Sequence, residues 1–421
     1  MGKVRTPFLL LLLFFHITAI SIVFHFGNSV VAQQHSEERR TIADGVYYSH
    51  LKQTSSSGEP WSIHVLRVSR RARNTRIRAA QSMPGASGMQ RQLPTQIAAQ
   101  SDAAGESVLG VVNGDYDLPA PYLGVSDGLS ISSGRISTTG KPAWPAFAIL
   151  TSGTPVIDVP SVAIELRAGK RRRLAAALNK PFGAAFGPGS RLFTREFRPS
   201  VGSDGPLRVA MITNLSAALP LRAGRPVRGV VTQIVESSGE LKIPEAGLAY
   251  AEPAAMENAV VPLLRVGDKL TIRVTIRMHG RGNVREIIGG FPVLVRKGRA
   301  GIEGTPSDYL RRRHPRTAVC YNREYVMFTV VDGRQPQLSV GMTLEELAAL
   351  QVSLGCTAAM NTDGGGSSVM AVTLPPQDGA TSGTGVTPRE APEAARLRIV
   401  NSPSDGRERG RGNAWVVVKM N

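Results

Sequence analysis

The sequence predicts an α+β, strand-rich fold: a mixed β-sheet core with few helices and a C-terminal β-hairpin–helix–strand unit. Three observations carry this. Apolar runs are short and recur along the whole chain, as strands do. The 44 glycines and 28 prolines of the 421 residues break them with turns. Only the segment opening at Thr343 holds a helical spacing for several turns.

The first apolar run, Phe8 to Phe26, stands apart. Lys3 and Arg5 precede it and Val30-Val31-Ala32 follows with small residues, the pattern of a secretory signal. Residues 1–32 are therefore expected to be a signal peptide, and the chain from Gln33 to be secreted or periplasmic. The alternative is an uncleaved membrane anchor over residues 8–26, against which His16, Thr18, Ser21 and His25 weigh. Residues 33–421 are expected to form a single domain.

Within it, Trp61–Val68 alternates as a strand and Leu93–Ala99 opens a short helix. Val108–Val112 reads as a buried strand that runs into Asn113-Gly114-Asp115-Tyr116-Asp117. Ala146–Leu150, Val159–Leu166, Leu207–Asn214, Gly229–Glu236 and Lys269–Met278 are further strands, and the Arg-, Gly- and Pro-rich stretch 167–206 is an exposed excursion between them. Gly289-Gly290 interrupts the apolar run Ile287–Val295, which predicts a bulge or a close backbone approach.

Thr317–Asn322 and Tyr325–Val331 read as a hairpin. Thr343-x-x-Glu346 forms a capping box, Leu344, Leu347, Leu350 and Leu354 share a face, and Gly355 stops the helix. A strand near Thr357–Met360 then leads into Asn361-Thr362-Asp363-Gly364-Gly365-Gly366-Ser367-Ser368. Residues 375–412 are polar and Pro/Gly-rich, a flexible loop, before a last strand from Trp415 to Lys419.

Net charge is +18, or +16 without Lys3 and Arg5, and arginine clusters such as Arg171-Arg172-Arg173 supply much of it. Such surfaces attract anions. With 5% aromatics in an exported chain, nucleic acid is excluded as the partner; a phosphorylated glycan suits better. The two cysteines, Cys320 and Cys356, form no metal or redox motif. They could pair in an oxidising compartment or stay as two buried thiols.

The triple glycine has two readings, a flexible surface loop or a site. Glycines are costly for stability, yet they admit positive φ and close ligand approach, and their amides can form an anion-binding nest. A strand–helix–strand unit most simply makes a right-handed crossover, so the strands ending at Val331 and Met360 point the same way. Asp332, Arg334, Asp363 and Arg316 then gather at one rim, where ligands commonly bind. A parallel strand ending at Val112 would add Asn113, Asp115 and Asp117. Arginine's planar fork suits phosphate; an Arg316–Asp332 salt bridge without ligand is the plainer alternative.

Four motifs, Arg-His-Pro-Arg-Thr-Ala (313–318), Val-Asp-Gly-Arg (331–334), Gly-Met-Thr-Leu-Glu-Glu-Leu (341–347) and Asn-x-Asp-Gly-Gly-Gly-Ser-Ser (361–368), resemble the phosphodiester glycosidase family. Weaker matches at Val112-Asn113-Gly114 and Ile288-Gly289-Gly290 extend the resemblance over roughly residues 45–420. The chain departs from the family with Asp115-Tyr116-Asp117 after Asn113-Gly114, with Thr362 where leucine is usual, and with Phe291 where a third glycine often sits.

The resemblance implies hydrolysis of a sugar-1-phosphodiester, with an α-N-acetylglucosaminyl linkage the first candidate; no cofactor and no metal-ligand set is read from the sequence, which leaves a metal requirement open. Asp363 would attack or activate water, with Asp332 or Asp115 as partner. Arg316, Arg334 and the amides of Gly364, Gly365 and Gly366 would hold phosphate, and Asn113, Asn361 and Ser367 would line the site. The competing reading is a non-catalytic envelope protein that binds anionic glycans through its arginine surface.

Overall fold

Strand Pro60–Ser69 shows how the short apolar runs build the core. Its Ile63, Val65, Leu66 and Val68 are all buried, and each such side chain contributes about 1.5–3 kcal/mol. It lies in a sheet of eight strands, each antiparallel to its neighbours. Their order is Ser36–Ala43, Val46–Thr54, Pro60–Ser69, Tyr325–Val331, Arg316–Tyr321, Ala358–Asn361, Val293–Arg296 and Arg299–Glu303. This computed structural model describes residues 36–103, 105–183, 188–278, 282–374 and 396–420. The expected signal or anchor segment and residues 375–395 of the expected loop lie outside the described residues.

Both faces of this sheet are covered. On one face Leu66, Phe328 and Met360 pack with Val112, Met370 and Trp415. These last three belong to a five-stranded sheet ordered Arg396–Ile399, Met370–Leu374, Ser107–Asn113, Asn413–Lys419 and Thr75–Gln81. On the other face the helix Leu344–Ser353 sets Leu344, Leu347 and Ala348 against Ala318, Cys320 and Ala359. Its capping box is formed: the Glu346 amide donates to Thr343 Oγ1 at 3.2 Å and the Thr343 amide to Glu346 Oε2 at 2.9 Å.

A second eight-stranded sheet, centred on Val227–Ser237 and Leu207–Thr213, and a five-stranded sheet containing Ala146–Leu150 and Val284–Gly289 enclose a further core. The α+β, strand-rich class holds, and among the described residues the strand pairs are antiparallel except for one short parallel pair, Ala177–Leu178 with Arg191–Thr194. The stretch 167–206 is no simple excursion. It supplies Arg171–Ala175, Ala177–Leu178, Arg191–Thr194 and Ser200–Val201 as strands, with Phe193 and Phe197 buried. Its polarity misleads because Arg172 and Arg173 face solvent from a strand at the sheet edge. Among the described residues no helix is long and apolar enough to cross a membrane.

The topology that positions the site is the hairpin–helix–strand unit. Arg316–Tyr321 lies between Tyr325–Val331 and Ala358–Asn361 and is antiparallel to both. The exits at Val331 and Asn361 and the start at Arg316 therefore share one edge. Cys320 and Cys356 form a disulfide with a Cα–Cα distance of 5.9 Å, across 36 residues of sequence. It ties the central strand to the end of the helix. Closing a loop of that length predicts a stabilisation of about 3–4 kcal/mol. A Cys320→Ala/Cys356→Ala variant is expected to unfold at correspondingly lower denaturant, and an unchanged midpoint would show that packing alone holds the helix.

Candidate functional site

Asn361 ends its strand, and Thr362 continues the pairing by donating its amide to Thr317 O at 2.9 Å. The Asp363 amide then crosses to Gly114 O of the neighbouring sheet at 3.2 Å. Asn113 joins the two sheets. Its Nδ2 donates to Asp363 O at 2.8 Å, and its Oδ1 accepts from Thr317 Oγ1 at 2.9 Å and the Val369 amide at 3.1 Å. Asn113 is thus fully buried beneath the loop and fixes its position.

The carboxylate of Asp363 accepts from the Gly364 amide at 2.9 Å through Oδ1, and its Oδ2 lies 3.0 Å from Arg411 Nη1. Burial raises its pKa above the ordinary carboxylate value; Arg411 pulls it down and Asp117 pushes it further up. The Ser367 hydroxyl lies close enough to lower it too, although outside hydrogen-bond geometry. Arg411 is the residue sequence reasoning missed. Its Nη1 bridges Asp363 and Asp117, whose Oδ2 is 3.2 Å away and whose own pKa is raised by burial. Arg91 Nε, at 2.7 Å, closes the cluster on Asp117.

The three glycines have a steric cause. Gly365 adopts φ +63°, and a Cβ there would meet Arg334 Nη2 at 3.0 Å. A Cβ on Gly366 would overlap Arg409 and Asp405, which pair with each other. Two guanidinium groups therefore lie directly on the turn. The expected amide nest is largely spent internally, since the Gly364 amide serves Asp363 and the Gly365 amide donates to Pro315 O at 2.8 Å. Arg334 is exposed, at φ +59°, with Nη2 3.2 Å from both Tyr309 Oη and His314 Nδ1. His314 can accept there because its Nε2 sits 2.9 Å from Tyr309 O as donor.

Three of the expected residues sit differently from the sequence reading. Arg316 is buried, and its guanidinium donates to the carbonyls of Met342, Leu310 and Arg312 at 2.8, 2.7 and 2.6 Å. Burial lowers its pKa to about 10, so it stays charged at neutral pH. Asp332 makes no pair with it. Asp332 accepts from Ser62 Oγ, His64 Nε2, Asn401 Nδ2 and the Ser402 amide at 2.8, 3.0, 3.1 and 2.9 Å. Asp115 is fully buried and accepts from Ser126 Oγ, the Gly128 amide and the Tyr116 amide at 2.8, 2.6 and 2.8 Å. Burial raises it to about 7.

Other contributors were invisible in sequence. His64 carries no sequence signal beyond being polar within Ile63–Val65; in the fold its Nδ1 accepts from Tyr48 Oη at 2.8 Å, which completes a Tyr48–His64–Asp332 chain. Asn401, Asp405, Arg409 and Arg411 fall in the expected loop 375–412. Its described part instead contains the strand Arg396–Ile399 and packs onto the site. The one available signal was Arg-Gly-Arg-Gly-Asn (409–413), a polar run directly ahead of a buried strand. Among the described residues no three His, Cys, Asp or Glu side chains are grouped to hold a metal.

Residues 227–418 match the phosphodiester glycosidase family model. No curated protein matches the chain in sequence. A hypothetical protein from Synechocystis superposes with TM-score 0.70 at 17% identity, over 91% of this chain and 64% of that one. The chain thus spans less than two thirds of that relative's length. A Burkholderia pseudomallei K96243 protein whose name proposes export gives TM-score 0.66 at 15% identity, over 92% and 97%. The zebrafish N-acetylglucosamine-1-phosphodiester α-N-acetylglucosaminidase catalytic domain, auto-inhibited by its pro-peptide, gives TM-score 0.45 at 14% identity, over 92% and 88%. All four motifs read from the sequence fall inside the matched span, and through residues 227–418 this chain resembles the phosphodiester glycosidases.

Proposed function

We propose that this protein is an exported hydrolase that cleaves a sugar-1-phosphodiester, with an α-N-acetylglucosaminyl linkage the first to try. One observation carries the reading. Of the three candidate carboxylates, Asp115 and Asp332 are 0% and 1% exposed with their oxygens taken up by donors, whereas the Asp363 side chain keeps 13%. Asp363 also stands between Arg411 and a turn on which Arg334 and Arg409 lie. A carboxylate beside such cations can attack the anomeric carbon, or activate water, while the guanidinium groups take the charge developing on the phosphate. A phosphate monoester, with a second pKa of about 6, leaves without a strong general acid.

In this scheme Asp115, Asp332, Arg316 and Asn113 are positioning residues. Asp332 anchors the 401–402 segment, Arg316 gathers the carbonyls around 310–312 and 342, and Asn113 fastens the loop from below. The disulfide supports export, since such bonds persist in oxidising compartments.

The test is release of free sugar and phosphomonoester in equal amounts from a panel of sugar-1-phosphodiesters by the intact protein. Release from any member sustains the reading. No release, with salt-sensitive binding of anionic glycans indifferent to Asp363, would replace it with the binding protein. Because Arg334 is exposed, Arg334→Ala is expected to lower kcat/KM about tenfold, less than a buried oxyanion donor would. A wild-type value would remove Arg334 from the phosphate side.

A further inference from the structure

We infer that Tyr116, Trp144 and Phe291 form the wall against which the sugar ring lies, a pyranose subsite distinct from the phosphate side; this rests on the hydrolase reading above. The three residues come from separate segments, each beside a strand end, in a chain with only 5% aromatics. Trp144 and Phe291 stack with centroids 5.0 Å apart and planes at 21°, and Tyr116 meets Trp144 edge-on at 6.1 Å. None of the three is fully buried.

The wall begins at the carboxylate strand. Tyr116 Oη accepts from Asn361 Nδ2 at 2.9 Å and donates to Phe291 O at 3.2 Å. Asn361 stands two positions before Asp363, whose charge is close enough to raise the Tyr116 phenol beyond what burial alone does. The rings thus adjoin the chain upstream of Asp363, and Arg334 and Arg409 adjoin it downstream, at Gly365 and Gly366. That places sugar and phosphate on either side of the reacting group.

The polar atoms at this wall select the ligand class. Asn361 Oδ1 and Trp144 Nε1 are buried and have no hydrogen-bond partner among the described residues. Asn361 Nδ2 is already occupied by Tyr116 Oη and the carbonyls of Phe291 and Thr362. What Asn361 has left is an acceptor, which repels a phosphate oxyanion and suits a hydroxyl or an acetamido N–H. The indole N–H wants an acceptor. A pyranose answers both with its hydroxyls and lays C–H groups on the rings, the mix of apolar wall and few polar anchors typical of ligand sites.

The wall is also built to keep its place. Gly128 and Gly289 pack against each other beside it: a Cβ on either would clash first with Asp115 Oδ2 and the other glycine's Cα, and would also come within 2.8 or 3.1 Å of Trp144 Cδ1. Lys141 Nζ lies 5.2 Å from the Trp144 centroid and is held 2.8 Å from Asp127 Oδ1.

The experiment titrates the intact protein with free N-acetylglucosamine, N-acetylgalactosamine, glucose and mannose, and separately with inorganic phosphate, by calorimetry or saturation-transfer NMR. At least one sugar is expected to bind. Trp144→Ala and Phe291→Gly should each weaken it about tenfold, and phosphate affinity should stay within twofold. Should either variant fold poorly, Trp144→Phe keeps a six-membered ring in the stack and loses the pyrrole ring with its N–H, with an expected loss of about threefold. Sugar binding unchanged by these substitutions, or phosphate binding with no sugar bound, overturns the subsite and leaves the hydrolase reading standing. Ring-dependent sugar binding without cleavage of any phosphodiester sustains the subsite and overturns the hydrolase.

Discussion

Asp363→Asn is expected to abolish turnover, by at least about 1,000-fold in kcat, with the fold intact. The substitution is nearly isosteric. The carboxamide oxygen of the variant would still accept from the Gly364 amide that Asp363 now takes at 2.9 Å, and Arg411 would keep Asp117 at 3.2 Å. What goes is the negative charge, without which neither attack on an anomeric carbon nor activation of water proceeds. The measurement is sugar release by wild type and variant side by side, with melting temperatures of both. Equal rates would keep the enzyme and exclude Asp363 as its carboxylate. A large loss of melting temperature would recast Asp363 as a structural partner of Arg411.

The sequence made the frame around this residue legible, for local reasons. The hairpin, the capped helix and the strand into the triple glycine depend on short-range rules of spacing, capping and turn chemistry, and Thr343, Glu346 and Gly355 obey them as expected. The same rules placed Arg316, Asp332 and Asp363 at one edge. They could not say which of these faces outward, because that depends on partners far away in sequence. Asp332 is enclosed by Ser62, His64 and Asn401, and Arg316 by three carbonyls of its own connecting segment. Arg411 was hidden for the opposite reason: a stretch of Gly, Ser, Pro and charge looks like solvated loop until tertiary contacts order it. The glycines, read as an amide nest, turned out to make room for side chains above them.

Arg411→Met is expected to cost about 3–5 kcal/mol at neutral pH, the scale for breaking a buried ion pair. Arg411 is 5% exposed and faces two carboxylates, Asp117 at 0% and Asp363 at 13%. Methionine fills much of the volume but leaves the two acids facing each other, with Arg91 and the Gly412 amide still on Asp117. Both acids already have pKa values raised by burial, and Arg411 is the largest influence lowering each. Without it both move further up. A carboxyl whose folded pKa lies above its unfolded value gives stability that is fully present below the unfolded value and lost as pH rises through the folded one. The deficit of the variant should therefore be largest near pH 7 and shrink towards pH 4, as the two acids take up protons. Denaturant unfolding of wild type and variant at the two pH values measures this. If Asp363 is the carboxylate proposed above, the same shift should move the acid limb of activity to higher pH. A deficit independent of pH would mean that Arg411 acts by packing alone, and an unmoved acid limb would detach it from Asp363.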